Sequence, residues 1–234
     1  MFYKLSNISN KLILEKELGL SFKHPNIYKP NPIINGLNES LLPIITSENS
    51  DIISHGIWGI LPENYEGDWQ NFQNVINTLN VSKEKLSTNQ LYKDAFENRR
   101  CLIIVSGFFT NYYKDGKIYP YYIYEKSERP FYLAGIYNKL SDGFITCSLL
   151  LTSEDGFLSK FQNLTNLMPI IINKNDQDQW LSTDTDKTKL ATLLNNKYSI
   201  SLNAHPIARD FYEQDIVFRT ILDPVNYEGI SYPE

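Results

Sequence analysis

Aromatic and β-branched runs follow one another between residues 101 and 152, and they constrain the fold more than any other feature of the chain. Cys101–Phe109, Tyr119–Tyr124, Phe131–Tyr137 and Phe144–Thr152 are separated by the turn signals Lys114-Asp115-Gly116, Glu128-Arg129-Pro130 and Ser141-Asp142-Gly143. Val, Ile, Tyr and Phe suit a pleated, packed surface, whereas Asp-Gly accepts the positive φ angles of a tight hairpin. Strands recurring at this spacing predict a mainly antiparallel sheet that curls into a barrel or a sandwich.

Helices flank this β core. Lys11–Leu20 carries Leu12, Ile13, Leu14 and Leu18 among charges and reads as a short helix that stops near Gly19. Ser87 or Thr88 can cap a helix running through Glu97, with Leu91, Ala95 and Tyr92 facing inward. Further helices are expected over Glu154–Asn163, Asp176–Leu181 and Lys187–Asn195, and a buried strand over Pro169–Ile172. Residues 21–42 read as a long loop. Leu42–Thr46 and Ile52–Ile60 read as a hairpin about Ser47–Asp51, and the segments Leu202–Asp210 and Ile221–Tyr227 read as irregular. No linker or repeat divides the chain, so residues 1–234 are expected to form one α+β domain with peripheral helices.

Composition narrows the function classes. At 42% hydrophobic the 234-residue chain can bury a substantial core, and no apolar run reaches the ~20 residues of a membrane helix. No membrane association, no signal peptide and a cytoplasmic location are expected. Cys101 and Cys147 sit in apolar runs and read as buried free thiols. His24, His55 and His205 form no metal-binding spacing, so no metal is expected. Gly107 and Gly116 are isolated and make no phosphate loop, Ser106-Gly107 lacks a nucleophile elbow, and no cofactor is implied.

The net charge of −5 does not favour nucleic acid, since phosphate contacts supply most non-specific affinity. A local basic stretch of Lys83, Lys85, Lys93, Arg99 and Arg100 is offset only by Glu84, Asp94 and Glu97. It reads either as a groove or as a solvated helix face, and Arg99-Arg100 either as an internal ion pair or as a groove contact. The tyrosines of Tyr119–Tyr124 read as strand residues packing on the core, with a base-stacking platform as the alternative.

Motifs in order carry a resemblance: WGILP at Trp58–Pro62, NTLNVSKE at Asn77–Glu84, NRRCLIIVSGFF at Asn98–Phe109 and NLMPIII at Asn166–Ile172. Together they resemble the SOS-response-associated peptidase family, whose members cover abasic sites in single-stranded DNA. The resemblance implies a chemistry in which an N-terminal cysteine closes a thiazolidine on the sugar aldehyde. An asparagine helps to hold the sugar and the N-terminal residue, a glutamate shuttles protons and a histidine assists ring opening.

Carried onto this chain, the asparagine is Asn80, with Glu84 matching the acid of the same motif. The cysteine position holds Phe2 and the glutamate position holds Thr110. The histidine position is Gln162 or Thr165, depending on the alignment. Two family arginines become Ser82 and Leu167. Thr110 cannot exchange a proton near neutral pH, so acid–base catalysis at that position is lost. With the large Phe2 following it, Met1 is expected to remain in place.

The resemblance therefore implies a family member with no intact catalytic set, and the reading leans against an enzyme. At most, weak non-covalent binding of single-stranded DNA through Asn80, Lys83, Lys85 and Arg100 is expected. The alternative is a scaffold reused for a protein or small-ligand partner with no nucleic-acid role.

Overall fold

Continuous apolar runs rather than strict alternation mark strands buried on both faces, and the computed structural model, which describes residues 2–212 and 220–230, has this arrangement. Strands β1 (Lys4–Asn7), β2 (Ser21–Phe22), β3 (Asn31–Asn35), β4 (Leu41–Thr46), β5 (Asn49–Trp58) and β6 (Asn80–Ser82) precede the β-rich segment. That segment supplies β7 (Arg100–Val105), β8 (Gly107–Lys114), β9 (Lys117–Glu125), β10 (Phe131–Lys139) and β11 (Ile145–Ser153). Short strands β12 (Leu167–Pro169), β13 (Ile171–Ile172) and β14 (Leu202–Pro206) follow. The helices are α1 (Lys11–Leu18), α2 (Trp69–Val75), α3 (Gln90–Asn98), α4 (Gln177–Leu181) and α5 (Lys187–Asn195).

β4, β7, β10 and β11 pair antiparallel in that order, and β5 pairs antiparallel with β4 and parallel with β11. The pairing therefore closes on itself as a barrel, which removes the strand edges. A second sheet, in the order β14-β9-β8-β1-β3, packs against it. Along β7, Cys101, Ile103 and Val105 join the core shared with that sheet, while Leu102 and Ile104 face the helices. Leu14 of α1, Tyr92 and Ala95 of α3, Trp180 of α4 and Leu190 of α5 cover the helix-facing side.

Several expectations meet a different outcome for identifiable reasons. The expected strand Cys101–Phe109 is two strands, because the chain passes at Ser106 from the barrel to the second sheet. There the Ser106 amide donates to the Ser6 carbonyl and its hydroxyl accepts from the Ile8 amide. No α-helix forms over residues 154–163. Asp155 Oδ1 instead accepts from the Phe157 and Leu158 amides, leaving a single 3-10 turn that feeds Leu158 and Phe161 into the core. The segment read as a loop contains β2 and β3, and β14 lies within a segment read as irregular. Asn89, not Ser87 or Thr88, caps α3 by accepting from the Leu91 amide, and Leu91 is only half-buried. α1 ends as expected, with Gly19 in the left-handed region and its N–H bonded to Glu15.

Candidate functional site

Trp58 anchors the neighbourhood of the site. Its fully buried indole donates from Nε1 to the Leu79 carbonyl at 2.8 Å, fixing the residue before Asn80. The next residue, Gly59, has φ +117, and a Cβ there would come within 2.8 Å of Gln73 and Trp69 nitrogens, so only glycine fits. β6 then runs parallel to β11, with Asn80 opposite Leu149. From this position Asn80 Nδ2 donates to the Phe2 carbonyl at 2.7 Å. Its Oδ1 is buried with no partner among the described residues.

Phe2 is 4% exposed and packs in the core between the two sheets. Its ring stands edge-on to Phe108 at 5.9 Å, and Phe108 in turn to Phe131 at 6.5 Å. Thr110, 3% exposed on β8, donates its hydroxyl to the Phe161 carbonyl at 2.9 Å. The adjoining Gln162 is 2% exposed, and its Nε2 donates to Glu154 at 2.7 Å and to the Leu167 carbonyl at 2.9 Å. Gln162 Oε1 is buried and unpartnered. Thr165 is half-buried, with its hydroxyl accepting from the Leu167 amide at 3.2 Å at the start of β12. The fold thus brings Phe2 to Asn80 by a direct bond, and Thr110 to Gln162 through the intervening Phe161 carbonyl. None of Phe2, Thr110, Gln162 and Thr165 carries a group that titrates near neutral pH.

The basic residues separate in space. Lys83 donates to Asn195 Oδ1 at 2.6 Å and lines a cavity of about 530 Å³ that includes Met168, Pro169, Lys197 and Tyr198. Lys85 is exposed at the end of the adjoining 3-10 turn. Arg100 corrects the expectation that it lines a groove, because it is fully buried and all its bonds point inward. Nε donates to the Trp180 carbonyl at 2.8 Å and Nη1 to Phe96 and Glu97, each at 2.7 Å. Nη2 donates to the Ser182 carbonyl at 2.5 Å. The guanidinium caps the C-terminal ends of α3 and α4 together, where carbonyls lack helical partners and the dipoles favour a cation. Arg99 resolves as an internal ion pair, with Glu63 at 3.2 Å and with Asp94, whose carboxyl it holds below the usual range.

Lys197 and Tyr198, whose hydroxyl bonds Asp155 in the same cavity, had no sequence signal, because they arrive from the segment after α5. Both cysteines are free and buried, and burial pushes Cys147 up to about 12, which leaves no thiolate. Among the described residues no group of His, Cys, Asp and Glu is gathered as metal ligands.

The deciding comparison is at family level, since the profile of the SOS response associated peptidase (SRAP) family matches residues 5–213. The chain belongs to the SRAP family. Among solved structures, this SRAP chain is similar to a Bacteroides thetaiotaomicron protein with a TM-score of 0.83 and 23% identity, covering 96% of this chain and 100% of that one. A Bordetella bronchiseptica protein superposes with a TM-score of 0.71 at 14% identity, over 88% of this chain and 99% of that one. Identities this low show the fold alone. Among curated proteins, the abasic site processing protein of Saccharomyces cerevisiae is 25% identical over 137 residues, 58% of this chain. That match spans only 36% of the yeast protein's length. Among the described residues no helix is long and apolar enough to cross a membrane.

Proposed function

We propose that this SRAP protein acts in the response to DNA damage as a non-covalent binder of single-stranded DNA that has lost the family's linking chemistry. The observation that carries this reading is the state of the family positions. Asn80 still grips the backbone of residue 2, as the family asparagine is expected to, while Phe2, Thr110 and Gln162 hold no nucleophile, acid or base. We assign Gln162 rather than Thr165 to the histidine position, because the Thr110 hydroxyl fixes the carbonyl immediately before Gln162. The Phe2 side chain is turned into the hydrophobic core and supplies no thiol to react with a sugar aldehyde.

What remains for nucleic acid is the cavity bearing Lys83 and Lys197, with Lys85 beside it. The likeness to the yeast abasic site processing protein supports the ligand class, and the lysines would supply the phosphate contacts. Fluorescence anisotropy with a labelled single-stranded oligonucleotide, across a salt series, tests the reading. Three contacts predict a log–log slope of roughly −2, with affinity in the high micromolar range at physiological salt. Lys83→Gln should flatten the slope by about 0.7. A second reading, a scaffold reused for a protein or small-ligand partner, is favoured by the inward Arg100 and by Ser82 and Leu167 at former arginine positions. Absence of any salt-dependent binding would overturn the first reading.

A further inference from the structure

β5 meets β11 only where Ile57 lies opposite Thr146 and Trp58 opposite Cys147, and this short parallel contact closes the barrel. At Ile145 the pairing with β5 has stopped. A cavity of about 300 Å³ opens there between β5, the turn joining β10 to β11 and the segment that follows β2. Every residue lining it falls between 23 and 145, inside the unbroken described stretch of the chain, and none belongs to the family positions or to the Lys83 cavity. Ile27, Leu41 and Phe144 are exposed there, and with the half-buried Ile57 and Ile145 they gather large apolar side chains round one opening. Single exposed apolar residues are ordinary, but a patch of them around a cavity marks a binding surface. The turn presents Phe144 firmly: its amide donates to Asp142 Oδ1 at 3.0 Å, and its carbonyl accepts from the Leu140 amide at 2.8 Å.

The polar side of this cavity is rich in donors. His55 belongs to a stack of three rings, with Tyr28 on Phe22 at 4.6 Å and Phe22 on His55 at 5.6 Å. The Tyr28 hydroxyl donates to the Ser9 carbonyl at 2.6 Å and anchors the far end of the stack, so the imidazole is held in place. Both His55 nitrogens are buried with no partner among the described residues. A neutral imidazole carries one N–H, so a buried donor in the cavity wall stands unmet, which native interiors rarely tolerate unless a water or a ligand answers it. Lys23 and His24 are exposed at the same opening, and neither side chain has a hydrogen-bond or ion-pair partner among the described residues. The single carboxylate of the lining, Asp142, is engaged by its own turn. Unmet donors beside an apolar patch match a ligand with an apolar body and an anionic, acceptor-rich head. A cation would meet Lys23 as like charge.

We propose that this cavity at the barrel seam binds a small organic acid, its apolar body packed on Leu41, Ile57 and Phe144 and its carboxylate held by Lys23 and the His55 N–H. A carboxylate offers only acceptors, and charge-assisted bonds from an ammonium and an imidazole are the strong kind. The volume lies at the lower end of small-ligand sites, which suits a compact free acid rather than a peptide segment.

The test is NMR titration of the full chain with naphthoate and with naphthamide, in which a neutral amide replaces the carboxylate at nearly equal shape. The expected result is a saturable shift of the Ile57, Phe144 and His55 side-chain signals with naphthoate, at least tenfold weaker binding of naphthamide, and none of acetate, which lacks the apolar body. Phe144→Ala, at an exposed site, should weaken naphthoate at least tenfold with an unchanged melting temperature. Lys23→Gln should weaken naphthoate at least fivefold and leave naphthamide unaltered, a difference that a merely structural lysine would not produce. Lys83→Gln should change neither. Equal affinity for the two probes would overturn the proposal, as would tighter binding of the naphthylmethylammonium cation or no saturable shift with naphthoate up to about 10 mM.

Discussion

At the scale of single residues, Arg100 shows how a charge that reads as a ligand contact in sequence becomes an internal strut. Its five donors fit no carboxylate here; they meet carbonyls of α3 and of the α4 end, which would otherwise be buried without partners. Arg100→Ala removes charge-assisted bonds and leaves those carbonyls unmet, so a loss of about 3–5 kcal/mol is expected. For a chain of this size that corresponds to a melting temperature lower by on the order of 10 °C, checked by calorimetry. Arg100→Lys should recover only part, because an ammonium cannot span the same carbonyls.

His55 offers a second test at the same scale. Its ring stacks on Phe22 at 5.6 Å, both ring nitrogens are buried without partners among the described residues, and burial, followed by the nearby His24, lowers its pKa. The folded protein therefore keeps His55 neutral at pH values where the unfolded chain, with a pKa near 6.5, takes up a proton. The unfolded state binds more protons, so stability falls as pH drops below about 6.5, until the folded-state pKa is passed. His55→Phe keeps the stack and removes that contribution. Denaturant midpoints from pH 7.5 to 5 should drop less in the variant than in the parent, with the part carried by His205 remaining.

At the scale of elements, the corner between β7 and β8 was invisible in the sequence. Cys101–Phe109 is apolar except for Ser106-Gly107, and a single Ser-Gly pair between apolar runs does not by itself announce that the chain changes sheets there. Gly107 is the physical trace of the corner: a Cβ there would sit 2.4 Å from the Tyr122 ring and 2.5 Å from the Ile123 carbonyl oxygen. Gly107→Ala should cost at least about 2 kcal/mol by forcing β8 off β9, measured by chemical denaturation. Elements with local signals were legible. α5 forms over Lys187–Asn195 with Asp186 as its cap, and the β8–β9 hairpin turns at Asp115-Gly116, both at positive φ. Residues 154–163 misled because their helical spacing competes with the Asp155 side chain, which captures the amides a helix would need.

At the scale of the whole molecule, barrel closure depends on the long-range parallel contact of Ile57 and Trp58 with Thr146 and Cys147, which no local pattern encodes. The family motifs recovered what periodicity could not, because Trp58, Asn80 and Met168 converge only once β5, β6 and β12 each lie along β11. The lysine groove was half legible: Lys83 lies in a marked basic stretch, whereas Lys197 arrives from the far end of the fold. The central claim is a retained SRAP scaffold whose chemistry is gone, and incubation with abasic single-stranded DNA followed by a denaturing gel tests it most directly. If Phe2, Thr110 and Gln162 hold the reacting positions, as proposed, no band survives heat and detergent; a stoichiometric, heat-stable shifted band would contradict it.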